Sequence, residues 1–248
     1  VMVHPTGTVA FLFTDVEGST AMWDAEPAAT AEAIARLDQI LDDSASTGHR
    51  AAEQGAGDSA VIAFERVSEA AAAAITTAVA IANEAWRTSE PIRVRMALHV
   101  GEVVVDEGGR YREPTMNRCG RLLAAAHGGQ VVASGAFVGL LLERDERIED
   151  EPDELDELSW IDLGEHHLRG IESPMRVWQA RHRDIEEEHP PLRTPEGRGL
   201  HLPGTTSALI GREREVETLR EMVSGDRIVT IVGAGGSGKT RPAVDAAR

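Results

Sequence analysis

Two carboxylates, a glycine and two hydroxyls follow an apolar run near the start of the chain. The stretch reads TVAFLFTDVEGST, in which Asp15 and Glu17 precede Gly18, Ser19 and Thr20. Carboxylate oxygens hold hard cations and the amides of a glycine turn face anions, so this segment can bind a metal and a phosphate. The same pattern is also typical of a plain turn that caps a helix, and turn chemistry alone leaves both interpretations open.

A second carboxylate belongs to the pair Gly57-Asp58, which comes directly before the β-prone run Ser59 to Phe64. The glycines in front of it predict a hairpin turn whose first strand is His49 to Gln54. Asp58 would then lie at the mouth of the hairpin, where a ligand from a neighbouring strand can reach a shared cation. A Gly-Asp pair is also commonplace in hairpins without any function.

An amide and a guanidinium lie four residues apart on a helix predicted over Thr115 to Ala126. Asn117 and Arg121 therefore share one face of that helix. An amide can hold a ribose, and arginine is a permanent fork of donors for phosphate oxygens. For an isolated pair the alternative is a surface asparagine beside an arginine in a salt bridge.

The elements that must position these side chains alternate between strand and helix. An amphipathic helix over Glu26 to Asp43 follows the first strand, and an alanine-rich helix over Ser68 to Trp86 follows the hairpin. Further strands are predicted over Ile92–Val105 (with a bulge at Gly101), Gln130–Ala133, Trp160–Leu163 and Met175–Arg181. This order predicts an α+β sandwich of ferredoxin-like type, in which an antiparallel-rich sheet has its helices on one side.

Together the FTDxxGST-like strand end, the GDxxxxxF hairpin and the NxxxR helix resemble class III nucleotide cyclases, the adenylyl and guanylyl cyclases. The resemblance covers roughly residues 6–180, and the closing phrase DLGEHHLRGIESPMRVWQ is similar to the tail of bacterial members. It implies that Asp15 and Asp58 bind two divalent ions, Mg²⁺ or Mn²⁺, with the carbonyl of Val16 as a further ligand. The amides of Gly18 to Thr20 would face the substrate phosphates.

The resemblance also implies a reaction and a partner. Asn117 would orient the ribose and Arg121 would stabilise the transition state. The 3′-hydroxyl attacks the α-phosphate and pyrophosphate leaves, which gives a 3′,5′-cyclic nucleotide, cAMP when the substrate is ATP. In the family the aspartates and the Asn/Arg helix come from different protomers, so function would require a head-to-tail homodimer.

Two positions that select the base in the family depart from its pattern. Members select the base with a lysine four residues before the second aspartate and an aspartate seven before the asparagine, and here these are Gln54 and Arg110. A glutamine amide both donates and accepts, whereas arginine only donates, which suits a guanine carbonyl better than the adenine amino group. Two functions therefore remain open: a nucleotide cyclase of weak or relaxed specificity, using ATP or GTP, and a silent cyclase-homology module that dimerises or regulates transcription.

A second phosphate motif lies near the end of the chain. Gly233 to Thr240 reads GAGGSGKT, a full G-x-x-x-x-G-K-T P-loop that follows a strand predicted over residues 226–232. Amides between Gly233 and Gly238 would cradle phosphates, Lys239 would reach the β/γ oxygens, and Thr240 would bind magnesium.

With LIGREREV at residues 209–216, this motif resembles the opening of a STAND/LuxR-type ATPase. The sequence ends eight residues after Thr240, before any Walker B aspartate, so we interpret it as a truncated fragment. The predicted organisation is a cyclase-homology domain at 1–183, a linker at 184–208 and the P-loop fragment at 209–248.

Composition limits the partners. The formal charge of −17 argues against nucleic acid and an anionic membrane surface, since both require basic faces. Cys119 is the only cysteine, which excludes an internal disulfide and fits a reducing compartment. No apolar stretch reaches the roughly 18 residues of a membrane span, and no signal peptide precedes the first strand. We therefore expect a soluble, cytoplasmic protein.

Overall fold

The computed structural model describes most of the chain, in the ranges 4–51, 57–106, 110–112, 114–143, 155, 157–185, 188–194, 211–225, 229–233 and 238–246. It divides the chain into two compact units, Val1–Gly197 and Arg198–Arg248. The elements of the first unit are β1 (Gly7–Val16), α1 (Ser19–Ala25), α2 (Pro27–Ser44), β2 (His49–Arg50), β3 (Ser59–Phe64), α3 (Val67–Asn83), β4 (Val94–Val103), α4 (Thr115–Ala125), β5 (Val131–Ser134), α5 (Gly135–Leu142), β6 (Ser159–His166) and β7 (Met175–Arg181). The second unit contains α6 (Glu213–Gly225) and α7 (Thr240–Ala246).

In the described part of the first unit, the strands form one seven-stranded sheet in the order β2-β3-β1-β4-β5-β7-β6. Neighbouring strands are antiparallel except β4 and β5, which are parallel because α4 carries the chain back between them. The prediction of an α+β fold with an antiparallel-rich sheet is confirmed.

The central strand β1 is buried on both faces. Ala10 and Leu12 pack against α2, α3 and α5, whereas Phe11 and Phe13 face the opposite side and pack with Leu122 of α4. A strand that is apolar on both faces needs cover on both, which explains the continuous run VAFLF. The structure therefore differs from the prediction that all helices lie on one side of the sheet. Among the described helices of the first unit, only α4 covers the face to which Phe11 and Phe13 point.

The long helix that follows the hairpin is shorter than predicted. The pattern predicted a helix over Ser68 to Trp86, and α3 ends at Asn83. Trp86 lies beyond the helix, where its indole Nε1 donates to the carbonyl of Ile81 at 3.1 Å. The indole thus contacts the last turn of the helix without belonging to it.

Gly101 does not form the predicted bulge. β4 pairs with β1 in regular register through Val9↔Gly101, and a Cβ at Gly101 would lie 2.7 Å from Oγ1 of Thr115. Glycine is needed there because the first turn of α4 approaches the strand closely. The register shift that the structure does contain lies in β6 between Asp162 and Gly164, where Gly164 adopts φ +86°.

The first unit extends further than the predicted boundary at residue 183. Residues 188–194 fall within the predicted linker, yet Leu192 and Thr194 are only 3% and 1% exposed. The linker prediction is corrected there, because a proline-rich composition does not prevent a segment from packing an apolar side chain onto a neighbouring core.

Of the strand predicted over residues 226–232, the described residues 229–232 form no part of a strand. Residues 229–233 belong to no strand, and residues 226–228 lie outside the described residues. The described part of the second unit offers no other strand, and a single strand would leave its backbone groups unpaired. Throughout the ranges described, no helix combines the length and apolar character that a bilayer crossing requires.

Candidate active site

Asp15 and Asp58 lie at the same end of two adjacent strands. Asp15 is the penultimate residue of β1, and Asp58 belongs to the turn that leads into β3. The antiparallel register pairs Asp15 with Ser59, and the N–H of Val16 donates to the carbonyl of Asp58 at 3.3 Å. Two carboxylates that are distant in sequence are thus presented at one edge of the sheet.

Asp15 has a partner that the sequence interpretation missed. Arg95 is its cross-strand neighbour on β4, and its Nε and Nη2 donate to the same oxygen, Oδ2, at 2.8 and 2.6 Å. The two side chains are only 24% and 21% exposed, for arginine and aspartate respectively. The contact fixes the carboxylate through its oxygen Oδ2. An arginine between Val94 and Met96, in a largely apolar strand, was the available signal.

The glycine turn after Asp15 leads into a short helix. Gly18 adopts φ +74° in the left-handed region, where a side chain would be strained, and Ser19 and Thr20 begin α1. No residue of α1 is buried. The helix that follows the turn of candidate phosphate-facing amides therefore reaches the core only through the partly buried Met22.

Glu17 connects this turn to two other parts of the fold. Its backbone N–H donates to the carbonyl of Arg93 at 2.8 Å, and its Oε2 accepts from the N–H of Gly128 at 3.1 Å. Its Oε1 forms an ion pair with Arg193. Burial raises the pKa of Glu17, but the hydrogen bond and charge of Arg193 outweigh burial and leave this pKa below its usual value. The carboxylate thus remains ionised at neutral pH.

Asn117 and Arg121 lie together on α4, away from its buried face. Asn117 is partly exposed and Arg121 is exposed. The guanidinium of Arg121 lies beside Gly170, where an added Cβ would be 3.9 Å from Nη2. The residues that bury α4 against the sheet are Thr115, Cys119, Leu122 and Ala125.

The two pairs of candidate residues do not contact one another within the chain. Among the described residues, no hydrogen bond or ion pair joins Asn117 or Arg121 to Asp15 or Asp58. The described part of the chain contains no cluster of three or more histidine, cysteine, aspartate or glutamate side chains that could hold a metal ion. One chain therefore offers two carboxylates on the sheet and a separate polar face on α4.

The two predicted base-reading positions are described unequally. Gln54 lies outside the described residues. Arg110 is exposed, and its backbone N–H donates to Oδ1 of Asp106 at 3.0 Å.

The P-loop residues belong to the second unit. Gly238 adopts φ +73°, Thr240 begins α7, and Nζ of Lys239 donates to the carbonyl of Gly233 at 2.8 Å. Residues 234–237 lie outside the described residues. Without the preceding strand, the interpretation as a STAND/LuxR-type ATPase fragment is not supported.

His99 is a buried titratable group on β4, near α4. It is 5% exposed, and its Nδ1 lies 2.8 Å from Oγ of Ser134. Burial, assisted by the positive charge of Arg118, lowers the pKa of His99 from 6.5 to about 4. The ring and its serine partner line a cavity of about 500 Å³. His99 is therefore neutral in the folded chain at neutral pH.

The lowered pKa of His99 predicts that the folded chain loses stability in mild acid. Between pH 6.5 and pH 4 the unfolded imidazole binds a proton that the folded one does not, so the free energy of unfolding falls as pH falls. We expect His99 to contribute roughly 2 kcal/mol of this loss between pH 7 and pH 5. Urea unfolding at both pH values should show a smaller loss for His99→Gln than for the unmodified chain. The exposed His167→Gln serves as the control, and equal losses in all three proteins would contradict the prediction.

Comparison with known proteins identifies relatives of this chain. The family model for the adenylate and guanylate cyclase catalytic domain matches residues 1–153. An uncharacterized protein of Mycobacterium tuberculosis is 40% identical over 217 residues, which cover 86% of this chain and 70% of the relative. An adenylate cyclase of Podospora anserina is 24% identical over 219 residues, covering 70% of this chain and 10% of that enzyme.

Solved structures resemble the first unit. The structure of a Trypanosoma brucei adenylate cyclase in its monomeric state has a TM-score of 0.65 at 22% identity, covering 79% of this chain and 98% of that one. The adenylyl cyclase CyaB from P. aeruginosa has a TM-score of 0.56 at 18% identity, covering 75% and 100%. At such identities the likeness shows a common fold.

Proposed function

Because the chain belongs to the adenylate and guanylate cyclase catalytic domain family, we propose that it converts a nucleoside triphosphate into a 3′,5′-cyclic nucleotide and pyrophosphate. The observation that carries the proposal is the meeting of Asp15 and Asp58 at one edge of the sheet. ATP is the first substrate to test because relatives named adenylate cyclase are among the matches, and GTP is the second.

The donor set fits a hard divalent cation. Oδ1 of Asp15, the carboxylate of Asp58 and the carbonyl of Val16 are all oxygen donors, which suit Mg²⁺ or Mn²⁺ rather than a thiophilic metal. Magnesium is commonly held by one or two carboxylates together with substrate phosphates, so a third carboxylate is not required. Two such ions, when bound, would lower the pKa of the ribose 3′-hydroxyl and neutralise charge on the phosphates.

The protein's own residues would orient the substrate. Arg95 fixes the Asp15 carboxylate by donating twice to one of its oxygens. The amides of Gly18 to Thr20 would face the triphosphate, which places its anionic oxygens against N–H donors. Positioning of this kind is the largest part of catalysis in phosphoryl chemistry.

Asn117 and Arg121 would complete the site from a second copy of the chain. In the proposed head-to-tail homodimer, Asn117 orients the ribose and Arg121 donates to the charged oxygens of the pentacovalent phosphate. Support comes from the separation of the two pairs within one chain and from the exposure of Arg121. Each dimer would contain two equivalent sites.

The two base-selecting positions of the family carry other residues here, Gln54 and Arg110. Gln54 could read either purine because its amide donates and accepts, and Arg110 offers donors only. This chemistry favours relaxed specificity or a preference for the guanine carbonyl. The same two replacements favour a second candidate function, a catalytically silent cyclase-homology module that dimerises and regulates a partner.

The test is product formation by the purified chain. We expect cyclic nucleotide from ATP, or from GTP, in the presence of Mn²⁺, and a fall of about 100-fold or more in Asp58→Ala, since a metal-holding carboxylate contributes several kcal/mol. Asp43→Ala, an exposed aspartate on α2, is the matched control and should retain full activity. Equal activity in Asp58→Ala would contradict the assigned site. No product from either nucleotide, with a dimer seen by light scattering, would favour the silent module.

A further inference from the structure

Residues 188–194, which we call the strap, follow β7 in the sequence and belong to the first unit. The backbone N–H of Arg193 donates to the carbonyl of Ala125 at 2.8 Å, and the ring Nε2 of His127 donates to the carbonyl of Pro191 at 3.0 Å. Leu192 is 3% exposed. The strap is therefore fastened to the C-terminal end of α4 on both sides of its buried leucine.

The strap is also fastened to β6. Oγ1 of Thr194 lies 3.1 Å from Nδ1 of His166, and Thr194 is only 1% exposed. The backbone around Arg193 is thus held between a buried leucine and a buried threonine. Its side chain, which is 39% exposed, therefore extends to Glu17 from a backbone that is held in place.

The side chain that receives this guanidinium belongs to the candidate metal loop. Glu17 lies two residues after Asp15, and its second oxygen accepts from Gly128. A Cβ at Gly128 would lie 2.7 Å from Oε2 of Glu17 and 2.5 Å from Cβ of Arg93, so only glycine permits this approach. α1 buries no residue fully and packs against the core through the partly buried Met22, so the contacts of Glu17 supply a further anchor for the loop between β1 and α1.

We propose that Glu17 and Arg193 are positioning residues, through which the strap holds the Asp15 loop in the conformation that binds a divalent cation. The inference rests on the proposed function, because it takes Asp15 and Asp58 as the cation's ligands. Its consequence is regulatory, because the strap contacts the loop that carries Asp15 directly, through the ion pair between Arg193 and Glu17. Displacing the strap would weaken cation binding without altering either aspartate.

The experiment measures Mn²⁺ affinity by electron paramagnetic resonance of the free ion, using the full chain and no nucleotide. Arg193→Met keeps the length of the side chain and removes the guanidinium fork, and we expect it to weaken Mn²⁺ binding about threefold to fivefold. Arg193→Lys should recover part of the loss. Arg183→Ala, which removes an exposed arginine paired with Glu157 and Asp184, is the matched control and should leave the affinity unchanged.

Whether Arg193→Met weakens or strengthens Mn²⁺ binding distinguishes a positioning role of Arg193 from a direct effect of its charge. Removing a positive charge near a cation site strengthens cation binding by charge alone, so weaker binding in Arg193→Met reports a displaced loop. The double variant Glu17→Gln/Arg193→Met should lose less than the product of the two single effects, because both substitutions break one contact. Thermal unfolding verifies that each variant is folded.

Two failures are distinguishable. If Asp58→Ala retains the full Mn²⁺ affinity, the proposed cation site is wrong and the positioning role fails with it. If Asp58→Ala loses affinity while Arg193→Met equals the Arg183→Ala control or binds more tightly, the cation site stands and the strap does not position it. Independent, multiplying effects of the two single substitutions would likewise overturn the proposal.

Discussion

Mixing the Asp58→Ala and Arg121→Ala variants is expected to restore cyclic nucleotide formation that neither variant shows alone. Each substitution should lower activity by about 100-fold or more, since one removes a cation ligand and the other removes charge stabilisation of the transition state. In the proposed head-to-tail dimer, a heterodimer of the two combines an intact Asp58 from one protomer with an intact Arg121 from the other. One of its two sites is then complete.

The shared site of the proposed head-to-tail dimer also sets how much activity the mixture should recover and which mixture serves as the control. Random association of equal amounts makes half of the dimers mixed, so about one quarter of the original sites are rebuilt. Mixing Asp58→Ala with Asp15→Asn should restore nothing, because both substitutions damage the same half of the site. Recovery in that control mixture, or none in the first, would contradict a site shared between protomers.

Leu98→Ala is expected to be the most destabilising of the substitutions considered. Leu98 is fully buried in β4, between Leu12 of β1 and Ala133 of β5, so truncation leaves a cavity in the centre of the sheet. We expect the free energy of unfolding to fall by about 2–5 kcal/mol, measured by urea unfolding. Leu142→Ala removes the same atoms from a side chain that is 68% exposed, and should cost no more than about 0.5 kcal/mol.

Equal effects of the two leucine substitutions would mean that the buried layer on this face of the sheet is not as the structure describes it. The comparison holds the chemistry of the substitution constant and varies only burial. It therefore tests the packing of β4, the strand that also carries Arg95 and His99.

Local chemistry in the sequence was sufficient to predict most of the elements of the first unit and to place the candidate residues within them. The run before Asp15 predicted β1, the glycines before Asp58 predicted a hairpin, and the i, i+4 spacing placed Asn117 and Arg121 on one helix face. These inferences depend on the side-chain period and on turn residues, which are properties of neighbouring positions. The α+β fold class followed from the order of those elements.

Turn and strand patterns failed where the outcome depended on more distant partners. The glycine at position 101 has the composition of a bulge, but its role is to admit Thr115 of α4. Residues 226–232 have the composition of a strand, yet residues 229–233 form none, because the described part of their unit supplies no strand to pair with. A local pattern states what a segment can form, and its neighbours decide whether it forms.

The amino-acid sequence by itself determined which chemical groups this chain carries and in which elements they lie. Only the tertiary structure decided which groups meet: register set Arg95 opposite Asp15, and packing brought Arg193 to Glu17 across 176 positions of chain. It also decided that α4 covers the face of the sheet opposite to the other helices of the first unit's described residues. The physical reason is that strand register and the choice between two apolar faces depend on the free energy of the whole packed core, which no short stretch of residues encodes.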